Sequence, residues 1–399
     1  MDLDLIRRLS IPAATKVVLC VLDGLGGLPG PRGRTELDEA PTRHLDRLAE
    51  GGALGQTIPA GYGVTVGSGP GHTALFGLDP LRYEIGRGVL EATGIDFPLE
   101  ANDLAARGNL CTVDASGAIT DRRAGRVATA ITAEIARTLA TIKLPGVEVF
   151  VRAVQEHRFV LVLRGEGLSE ALTETDPQRE GVPPLAVRAT DPGAERTAAL
   201  VNRFIAEARE QLRSREAANH LTLRGWAKRP QLPQLPELWK LRAAACTVYP
   251  MYRGLARLVG METIDGGSTL ESQFAALRRH WEDYDFFFVH YKPTDSAGED
   301  GDFQRKVQAI HEFDECLPRL LALEPDVLIV TGDHSTPAVM AQHSWHPVPL
   351  LLHGRHVRPD HTRSFSELEC AQGGLGTFPA TEVLPIAFAH AGRLAKYGA

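Results

Sequence analysis

The sequence predicts an α/β protein with a parallel sheet, and three segments carry this prediction. Residues 16–22 are a short apolar run rich in β-branched side chains, as in a strand that is buried on both faces. Residues 285–290 and 326–331 form two similar runs, and the stretch between them, 303–323, repeats apolar residues at helical spacing. A strand, a helix and a strand in this order form a βαβ unit, whose strands are parallel.

Three shorter elements complete the regular part of the chain. A helix is predicted over 42–50, where the apolar side chains share one face. Residues 72–76 predict the start of a helix that follows a glycine-rich turn, and 348–353 predict a further strand. These segments lie on either side of a middle region with a different pattern.

The middle region predicts a separate domain. Its elements are strands over 107–114, 146–153 and 158–165, and helices over 128–139 and 190–214. Residues 229–236 carry three prolines, as in a linker. We therefore expect a cap domain at 96–245, roughly 150 residues and so of ordinary domain size, inserted into a discontinuous domain at 1–95 and 246–399.

Polar side chains follow each of the three apolar runs. Asp23 ends the first run, Asp295 and Glu299 follow the second, and Asp333 and His334 follow the third. The carboxyl ends of parallel strands line the ligand crevice of an open α/β sheet. Because carboxylate and imidazole are donors that suit divalent cations, the sequence predicts a metal site at this edge.

Ser68 lies in the glycine-rich run 65–72, directly before the predicted helix. Backbone amides at a helix start favour a phosphate, and a serine hydroxyl beside a metal becomes a nucleophile. Alone, Ser68 is more typical of a turn and Asp23 of a helix cap or turn, and Asp333 is compatible with a helix cap. Together these residues predict phosphoryl transfer at a two-metal site.

Composition narrows the function classes. The net charge of −7 argues against a nucleic-acid partner. Five cysteines without a close pair indicate a reducing compartment. The acidic N-terminus does not resemble a signal peptide, and the run 16–22 is too short to cross a membrane. We expect a cytoplasmic protein that binds no membrane and that concentrates arginines locally to bind an anionic substrate.

The motifs together resemble those of the archaeal-type cofactor-independent phosphoglycerate mutases, a branch of the alkaline phosphatase superfamily. The resemblance extends from residue 17 to about residue 350, and its matching stretches are 22–24, 67–72, 75–80, 86–92, 157–159, 294–295, 331–337 and 343–344. It implies an alkaline-phosphatase-like parallel core with helices on both faces and an inserted α+β cap.

The resemblance also implies two sets of metal ligands. One divalent cation would be bound by Asp23, Ser68, Asp333 and His334, and the other by Asp295, Glu299 and His343. The superfamily commonly has histidine where this chain has Glu299, and an oxygen donor favours Mn²⁺ or Mg²⁺ over Zn²⁺. His72 and His346 are left open as pocket residues.

Substrate binding requires guanidinium groups, which grip phosphate and carboxylate. The candidates are Arg87, Arg107, Arg122, Arg126, His157 and Arg164. The run 121–126 is the densest, and it is either part of this clamp or a solvated loop. Asp121 is the candidate acid or base for the glycerate hydroxyls, and Arg253 a cation beside the transferring phosphate.

The predicted reaction is the interconversion of 3-phosphoglycerate and 2-phosphoglycerate without 2,3-bisphosphoglycerate, through phosphorylated Ser68. The cap would retain glycerate and exclude water. Two alternatives are open. One is a phosphatase or phosphotransferase of the same superfamily that uses another acceptor. The other is a non-catalytic metabolite-binding relative that has lost one metal through Glu299.

Overall fold

The chain forms two compact units, and the computed structural model describes residues 2–398. The inserted unit is Ile85–Gln231, and the split unit comprises the described residues up to Glu84 and from Leu232 onward. The insertion thus begins and ends earlier along the chain than the predicted segment 96–245. The assignment of cap and catalytic roles to the two units stays a prediction.

The regular elements follow in chain order. The strands are β1 (Val17–Leu22), β2 (Ala53–Ile58), β3 (Asp103–Val113), β4 (Ile119–Asp121), β5 (Glu148–Gln155), β6 (Arg158–Arg164), β7 (His220–Lys228), β8 (Ala243–Cys246), β9 (Glu262–Thr263), β10 (Phe286–Tyr291), β11 (Val327–Thr331), β12 (Val348–Gly354) and β13 (Gly376–Pro379). The α-helices are α1 (Leu3–Leu9), α2 (Glu36–Glu39), α3 (Arg43–Glu50), α4 (Ser68–Leu75), α5 (Arg87–Gly94), α6 (Thr129–Leu139), α7 (Glu195–Leu212), α8 (Leu235–Trp239), α9 (Pro250–Leu258), α10 (Leu270–Arg279), α11 (Pro293–Glu299), α12 (Phe303–Leu321), α13 (Glu367–Gln372) and α14 (Val383–His390). Short 3₁₀ turns lie at Ala124–Arg126, Pro192–Ala194 and Ala380–Glu382.

The sheet of the split unit has the strand order β13-β2-β12-β11-β1-β10-β8-β9. Strand β1 is central and parallel to both β10 and β11, which confirms the predicted parallel core. The predicted strand at 348–353 is present as β12, which is antiparallel to both of its neighbours. Since β1, β10 and β11 run in one direction, the residues that follow them lie at one edge of the sheet.

Helices cover both faces of this sheet, as predicted. On one face α12 packs Ile310, Phe313 and Leu317, each fully buried, into the core that also contains Phe287 of β10. On the other face the preceding residue, Phe286, contacts Phe388 of α14, with ring centroids 5.7 Å apart. The alternation of side chains along a strand explains why neighbouring phenylalanines serve opposite layers.

Helix α4 begins earlier than the sequence predicts. Ser68 is its first residue and Gly67 its N-cap, whereas the pattern predicts a helix start at 72–76. The predicted place of the serine, at or near the N-terminus of this helix, is confirmed. Pro70 lies in the first turn, where a missing backbone N–H leaves no intrahelical bond unmade. The glycine-rich motif is therefore the first turn of the helix itself.

The inserted unit is an α+β unit with an antiparallel sheet. Its strand order is β4-β3-β6-β5, with β7 paired to the other edge of β3. Helices α6 and α7 cover one face, where Phe159, Leu161 and Phe204 are buried together. Helix α5 contacts β3 and β7, so the unit begins before the predicted boundary. Strands β4 and β7 are additions to the strands that the sequence predicts for this unit.

Candidate active site

Four predicted site residues meet at the carboxyl edge of the parallel sheet. Nε2 of His334 lies 3.2 Å from Oγ of Ser68. The same nitrogen lies 3.4 Å from Oδ1 of Asp23 and 3.3 Å from Oδ2 of Asp333. All four side chains are buried. The structure therefore brings together the residues expected to bind the first cation.

The hydrogen bonds of His334 indicate which ring nitrogen is free. Oγ1 of Thr336 donates to Oδ1 of Asp295 at 2.6 Å and lies 3.0 Å from Nδ1 of His334. A hydroxyl has one proton to donate, so Nδ1 of His334 must carry a proton and donate it to Thr336. Nε2 then has its lone pair directed at the cluster, as a metal-ligating histidine requires.

The second predicted group is only partly assembled. Asp295, His334 and His343 each offer a donor atom, and these atoms lie within 4.8 Å of one another. Nε2 of His343 is 3.5 Å from Oδ1 of Asp295 and 3.4 Å from Oε1 of Glu299. Nδ1 of His343 donates to the carbonyl of Val66 at 2.9 Å, which leaves Nε2 for a cation. The Glu299 side chain is 55% exposed and lies at the rim of the group.

The donor set fits divalent cations. Oδ1 of Asp23 is buried and accepts no hydrogen bond from the residues described. Oδ2 of Asp333 is also buried, with Nδ1 of His72 at 3.1 Å and Nε2 of His334 at 3.3 Å. Burial would raise the pKa of Asp23, but Lys292 and His290 hold it well below its ordinary value, so this carboxylate is ionised. A buried carboxylate oxygen without a donor is costly. A cation bound between these oxygens and His334 would satisfy them.

Four residues that contact the site were not predicted from the sequence. Nζ of Lys292 lies 3.2 Å from Oδ2 of Asp23 and 2.5 Å from Oδ2 of Asp295. His290 lies 2.9 Å from the same Asp23 oxygen, and Tyr252 donates its hydroxyl to it. The only signal for Lys292 was its place directly after a buried strand. The fourth missed residue is Thr336, which follows the predicted ligand pair Asp333 and His334. The sequence alone does not indicate that its hydroxyl joins His334 to Asp295.

The histidines left open and Arg253 also have definite places. Nδ1 of His72 donates to the carbonyl of Ser68 at 2.8 Å and lies 3.1 Å from Oδ2 of Asp333. His346 lies 3.0 Å from Oγ of Ser344, in none of the metal-binding groups found among residues 2–398. Arg253 is in α9 beside Tyr252. The role predicted for Arg253 at the phosphate stays a prediction.

Gly24 shows why the first motif contains glycine. Its φ of +64° lies in the left-handed region, and a Cβ there would be 2.4 Å from Oγ1 of Thr336 and 2.7 Å from Oδ1 of Asp295. Any side chain at this position would displace the hydroxyl that joins the two predicted ligand groups.

The inserted unit contains a cluster of arginines on the sheet face opposite α6 and α7. Arg107 of β3 pairs in register with Arg224 of β7, and Asn109 of β3 pairs with Arg158 of β6. Burial, together with repulsion from Arg87, Arg158 and Arg224, lowers the pKa of Arg107 to about 10, although Glu91 opposes the shift. A cluster of mutually repelling guanidinium groups is suited to an anion.

His157 lies close to this arginine cluster. Burial and the charge of Arg158 lower the pKa of His157 to about 4, so its ring is neutral at physiological pH. The structure therefore gathers Arg87, Arg107 and His157, which the sequence singled out. Arg158 and Arg224 were missed, although their alternation with the core residues of β6 and β7 was a usable signal.

The remaining candidates of the inserted unit are engaged elsewhere. Arg122 binds Asp176 through two hydrogen bonds of 3.2 and 2.8 Å. The Asp121 carboxylate accepts backbone N–H bonds from Arg123 and Gly125, as a turn cap does. Arg126 is exposed.

Arg164 belongs to a different part of the sheet. It binds Asp103 at 2.7 and 2.8 Å, and it lies at the opposite end of β6 from Arg158. Six strand residues span roughly 20 Å. The structure does not bring Arg164 to the arginine cluster.

Known proteins resemble this chain over almost its whole length. Residues 49–218 match the family model described as 2,3-bisphosphoglycerate-independent phosphoglycerate mutase. A probable 2,3-bisphosphoglycerate-independent phosphoglycerate mutase of Thermosipho africanus is 48% identical over 396 residues, which cover 99% of this chain and 98% of that protein. One of the same name from a strain of Thermus thermophilus is 49% identical over 406 residues, covering 100% of both.

Two solved structures share the fold. The PH0037 protein from Pyrococcus horikoshii has a TM-score of 0.84 at 30% identity, covering 97% of this chain and 100% of that one. A cofactor-independent phosphoglycerate mutase from Thermoplasma acidophilum has a TM-score of 0.70 at 30% identity, covering 94% of this chain and 100% of that one.

Fold and site together define an enzyme with a parallel α/β core, whose buried carboxylates and histidines surround a serine at a helix start. The full-length similarity gives the family: the chain belongs to the 2,3-bisphosphoglycerate-independent phosphoglycerate mutases. The resemblance stated from the motifs is confirmed. Among residues 2–398 no helix combines the length and the apolar character needed to traverse a bilayer. The cytoplasmic location stays a prediction.

Proposed function

We propose that this protein interconverts 3-phosphoglycerate and 2-phosphoglycerate without 2,3-bisphosphoglycerate, and that Ser68 carries the phosphoryl group between the two steps. The observation that supports this most directly is the position of Ser68. Ser68 is the first residue of α4, and its hydroxyl oxygen lies 3.2 Å from Nε2 of His334. A nucleophile at a helix start faces backbone N–H groups that stabilise a phosphoryl anion.

Two divalent cations, Mn²⁺ or Mg²⁺ rather than Zn²⁺, complete the proposed site. The first would be held by Asp23, Ser68, Asp333 and His334, and the second by Asp295, Glu299 and His343. When bound, such cations lower the pKa of the serine hydroxyl and neutralise charge on the phosphoryl oxygens. The predominance of oxygen donors supports the harder cations.

The protein residues carry the two transfers. Oγ of Ser68 attacks the phosphorus in line, its bond to phosphorus forms as the substrate ester bond breaks, and the freed glycerate hydroxyl takes up a proton. The other glycerate hydroxyl then gives up its proton and attacks the phosphorus of phosphoserine, the bond between phosphorus and Oγ breaks, and Oγ of Ser68 takes up a proton. Lys292 adds positive charge beside Asp23 and Asp295. Catalysis of this kind depends on orientation and charge rather than on further covalent chemistry.

The arginine cluster is proposed to bind the carboxylate or phosphate of the substrate. Arg87, Arg107 and His157 are members predicted from the sequence, and Arg158 and Arg224 extend the set. Arg122 is proposed to act through its pairing with Asp176, which also lies 3.7 Å from Arg224. A role for Arg126 in the clamp and for Asp121 as acid or base stays a prediction.

One assay separates the proposed function from its alternatives. The purified protein is incubated with 3-phosphoglycerate and Mn²⁺, without 2,3-bisphosphoglycerate. Both 2-phosphoglycerate, coupled to enolase, and inorganic phosphate are measured in the same sample. Formation of 2-phosphoglycerate with little phosphate is expected. Phosphate as the main product would indicate a phosphatase, and neither product would indicate a binding protein.

A further inference from the structure

Lys306 of α12 is a fully buried lysine whose ammonium group lies beside the loops that carry Asp23, Asp333 and His334. Its Nζ donates to three backbone carbonyls: that of Gly24 at 2.9 Å, that of Gly26 at 3.0 Å and that of Thr336 at 2.9 Å. An ammonium group has three N–H donors and no acceptor. The three carbonyls therefore satisfy it completely.

These carbonyls belong to two loops that are distant in sequence. The first loop, 23–27, begins with Asp23 at the end of β1, and the second, 332–338, contains Asp333 and His334. The loops also touch directly, because the N–H of Thr336 donates to the carbonyls of Gly24 and Gly26. Lys306, which belongs to α12, thus connects the two loops through its hydrogen bonds.

Two glutamates, the buried Glu36 and the half-buried Glu367, bind the N–H groups of the same loops. Oε1 of Glu36 accepts from the N–H of Ala338 at 2.7 Å. Oε1 of Glu367 accepts from the N–H of Gly27 at 2.6 Å. Burial lowers the pKa of Lys306, and the interaction with Glu36 opposes this shift. Burial also raises the pKa of Glu367 to about 8.

Stability alone does not explain this buried charge, although the loss of Lys306 by itself would leave buried polar groups unpaired and would cost stability. An apolar side chain of similar volume in place of a buried ion pair often leaves a protein equally stable or more stable. An apolar residue at 306 could fill the same space, but it could not bind the carbonyls of both loops. The backbone leaves little tolerance for a shift, since a Cβ on Gly26 would lie 1.8 Å from Oγ of Ser335. The positive charge of Lys306 is therefore explained better by its hydrogen bonds to both loops than by a contribution to stability.

We propose that Lys306 is a positioning residue for the mutase reaction: it holds Asp23 at a fixed distance from Asp333 and His334, so that the ligands of the first cation are assembled before the cation binds. This inference rests on the proposed metal-dependent function. Lys306 touches neither the substrate nor the reacting atoms in this arrangement.

The first test compares two buried cations. Lys306→Met keeps the volume and removes the three hydrogen bonds. Arg393→Met is the matched control, because Arg393 is 1% exposed and donates to the carbonyls of Ala13 and Thr15, at the end of β1 away from Asp23. Mn²⁺ binding is measured by calorimetry on the metal-depleted full-length chains, and unfolding by denaturant on the same samples.

Loss of an outer hydrogen-bonding partner typically weakens metal binding about 10–100-fold. We expect a loss of that size in Lys306→Met and an unchanged Mn²⁺ dissociation constant in Arg393→Met, even if both lose stability. The turnover lost in Lys306→Met should largely return at saturating Mn²⁺. An unchanged dissociation constant in Lys306→Met would overturn the inference. Failure of the wild-type protein to bind Mn²⁺ would instead count against the proposed function.

A second measurement needs no variant, in case Lys306→Met does not fold. Amide hydrogen exchange is followed in the wild-type chain after chelation. The N–H groups of Gly24, Gly27, Thr336 and Ala338 should exchange as slowly as those of β1, whereas the exposed residues 62–65 should exchange rapidly. Rapid exchange of the two loops in the metal-depleted chain would show that they are not assembled in advance, and the inference would be wrong.

Discussion

The hydroxyl of Thr336 donates to Oδ1 of Asp295 at 2.6 Å and also accepts the Nδ1 proton of His334 at 3.0 Å. Asp295 and His334 belong to the two different ligand sets proposed for the two cations. A single side chain therefore orients one residue of each set, so the two sets are joined through one hydroxyl.

The first prediction tests this joint. Thr336→Val removes the hydroxyl at nearly constant volume and leaves Nδ1 of His334 without its acceptor. Mn²⁺ affinity, measured by calorimetry, should fall about 10–100-fold, as for other outer partners of metal ligands. Thr336→Ser keeps the hydroxyl and is the control, with affinity close to that of the wild-type protein. If both variants lose Mn²⁺ affinity equally, the loss is caused by altered packing and not by the missing hydroxyl.

The second prediction concerns the nucleophile. Ser68→Ala removes the oxygen that lies 3.2 Å from Nε2 of His334. Mutase turnover should fall on the order of 10⁴-fold or more, as when other covalent nucleophiles are removed. Bound metal is measured by elemental analysis on the same preparation, so that a loss of cation is recognised. Near-normal turnover with metal intact would exclude a phosphoserine mechanism.

The third prediction concerns the choice of cation. Glu299 supplies an oxygen 3.4 Å from Nε2 of His343. Chelation should abolish activity and Mn²⁺ should restore it. Glu299→His should shift the preference toward Zn²⁺, because a nitrogen donor replaces an oxygen. Competition binding of Mn²⁺ and Zn²⁺ to both chains is the measurement, and an identical preference would remove Glu299 from the ligand set.

The fourth prediction addresses the arginine cluster. Arg107→Gln removes a half-buried guanidinium that lies among Arg87, Arg158 and Arg224 and 3.6 Å from the carboxylate of Glu91. If it binds the substrate, the lost charge-assisted hydrogen bond is worth about 1.5–3 kcal/mol, and KM for 3-phosphoglycerate should rise roughly 10–100-fold. Arg152→Gln, an exposed arginine on β5 of the same sheet, is the control and should leave KM unchanged. An unchanged KM in Arg107→Gln would contradict a substrate-binding role.

The fifth prediction is a pH dependence of stability. Burial and the charge of Arg158 lower the pKa of His157 from its ordinary value of 6.5 to about 4 in the folded chain. The unfolded chain therefore binds an extra proton between these values, so His157 costs no stability above pH 6.5 and destabilises the fold as pH falls toward 4. His157→Gln should lose less stability than the wild-type chain over this range. The free energy of unfolding is measured with urea at several pH values. If it falls equally in both chains as the pH is lowered, the lowered pKa of His157 is contradicted.

Strand order explains how much of the site was predictable. Asp23, Asp333 and His334 each follow a continuous apolar run, and parallel strands place such residues at one edge whatever the loop details. The motif residue Ser68 was predictable as a helix start, although the helix begins at Ser68 rather than at 72. In these cases local pattern and topology were sufficient.

Contacts between side chains were not predictable in the same way. Most hydrogen bonds of Thr336, Lys292 and Lys306 join residues that are distant in the sequence. No periodic pattern of residues encodes such bonds. The density of charge at 121–126 was a poor guide, because Asp121 caps its own turn and Arg122 pairs with Asp176. Arg158 and Arg224 are spread over two strands, where alternation rather than density was the signal.

The order of strands in the central sheet has a consequence for synthesis of the chain. Val17 of β1 lies beside Val327 of β11, so the central pairing of this sheet joins segments from opposite ends of the polypeptide. A ribosome has already released β1 and the whole inserted unit long before β11 emerges. The inserted unit, contiguous in sequence, can fold first, while β1 must wait with its apolar surface uncovered. A chain that stops before residue 331 contains Ser68 and Asp23 but lacks Asp333 and His334, so a truncated product is expected to be inactive and prone to aggregation.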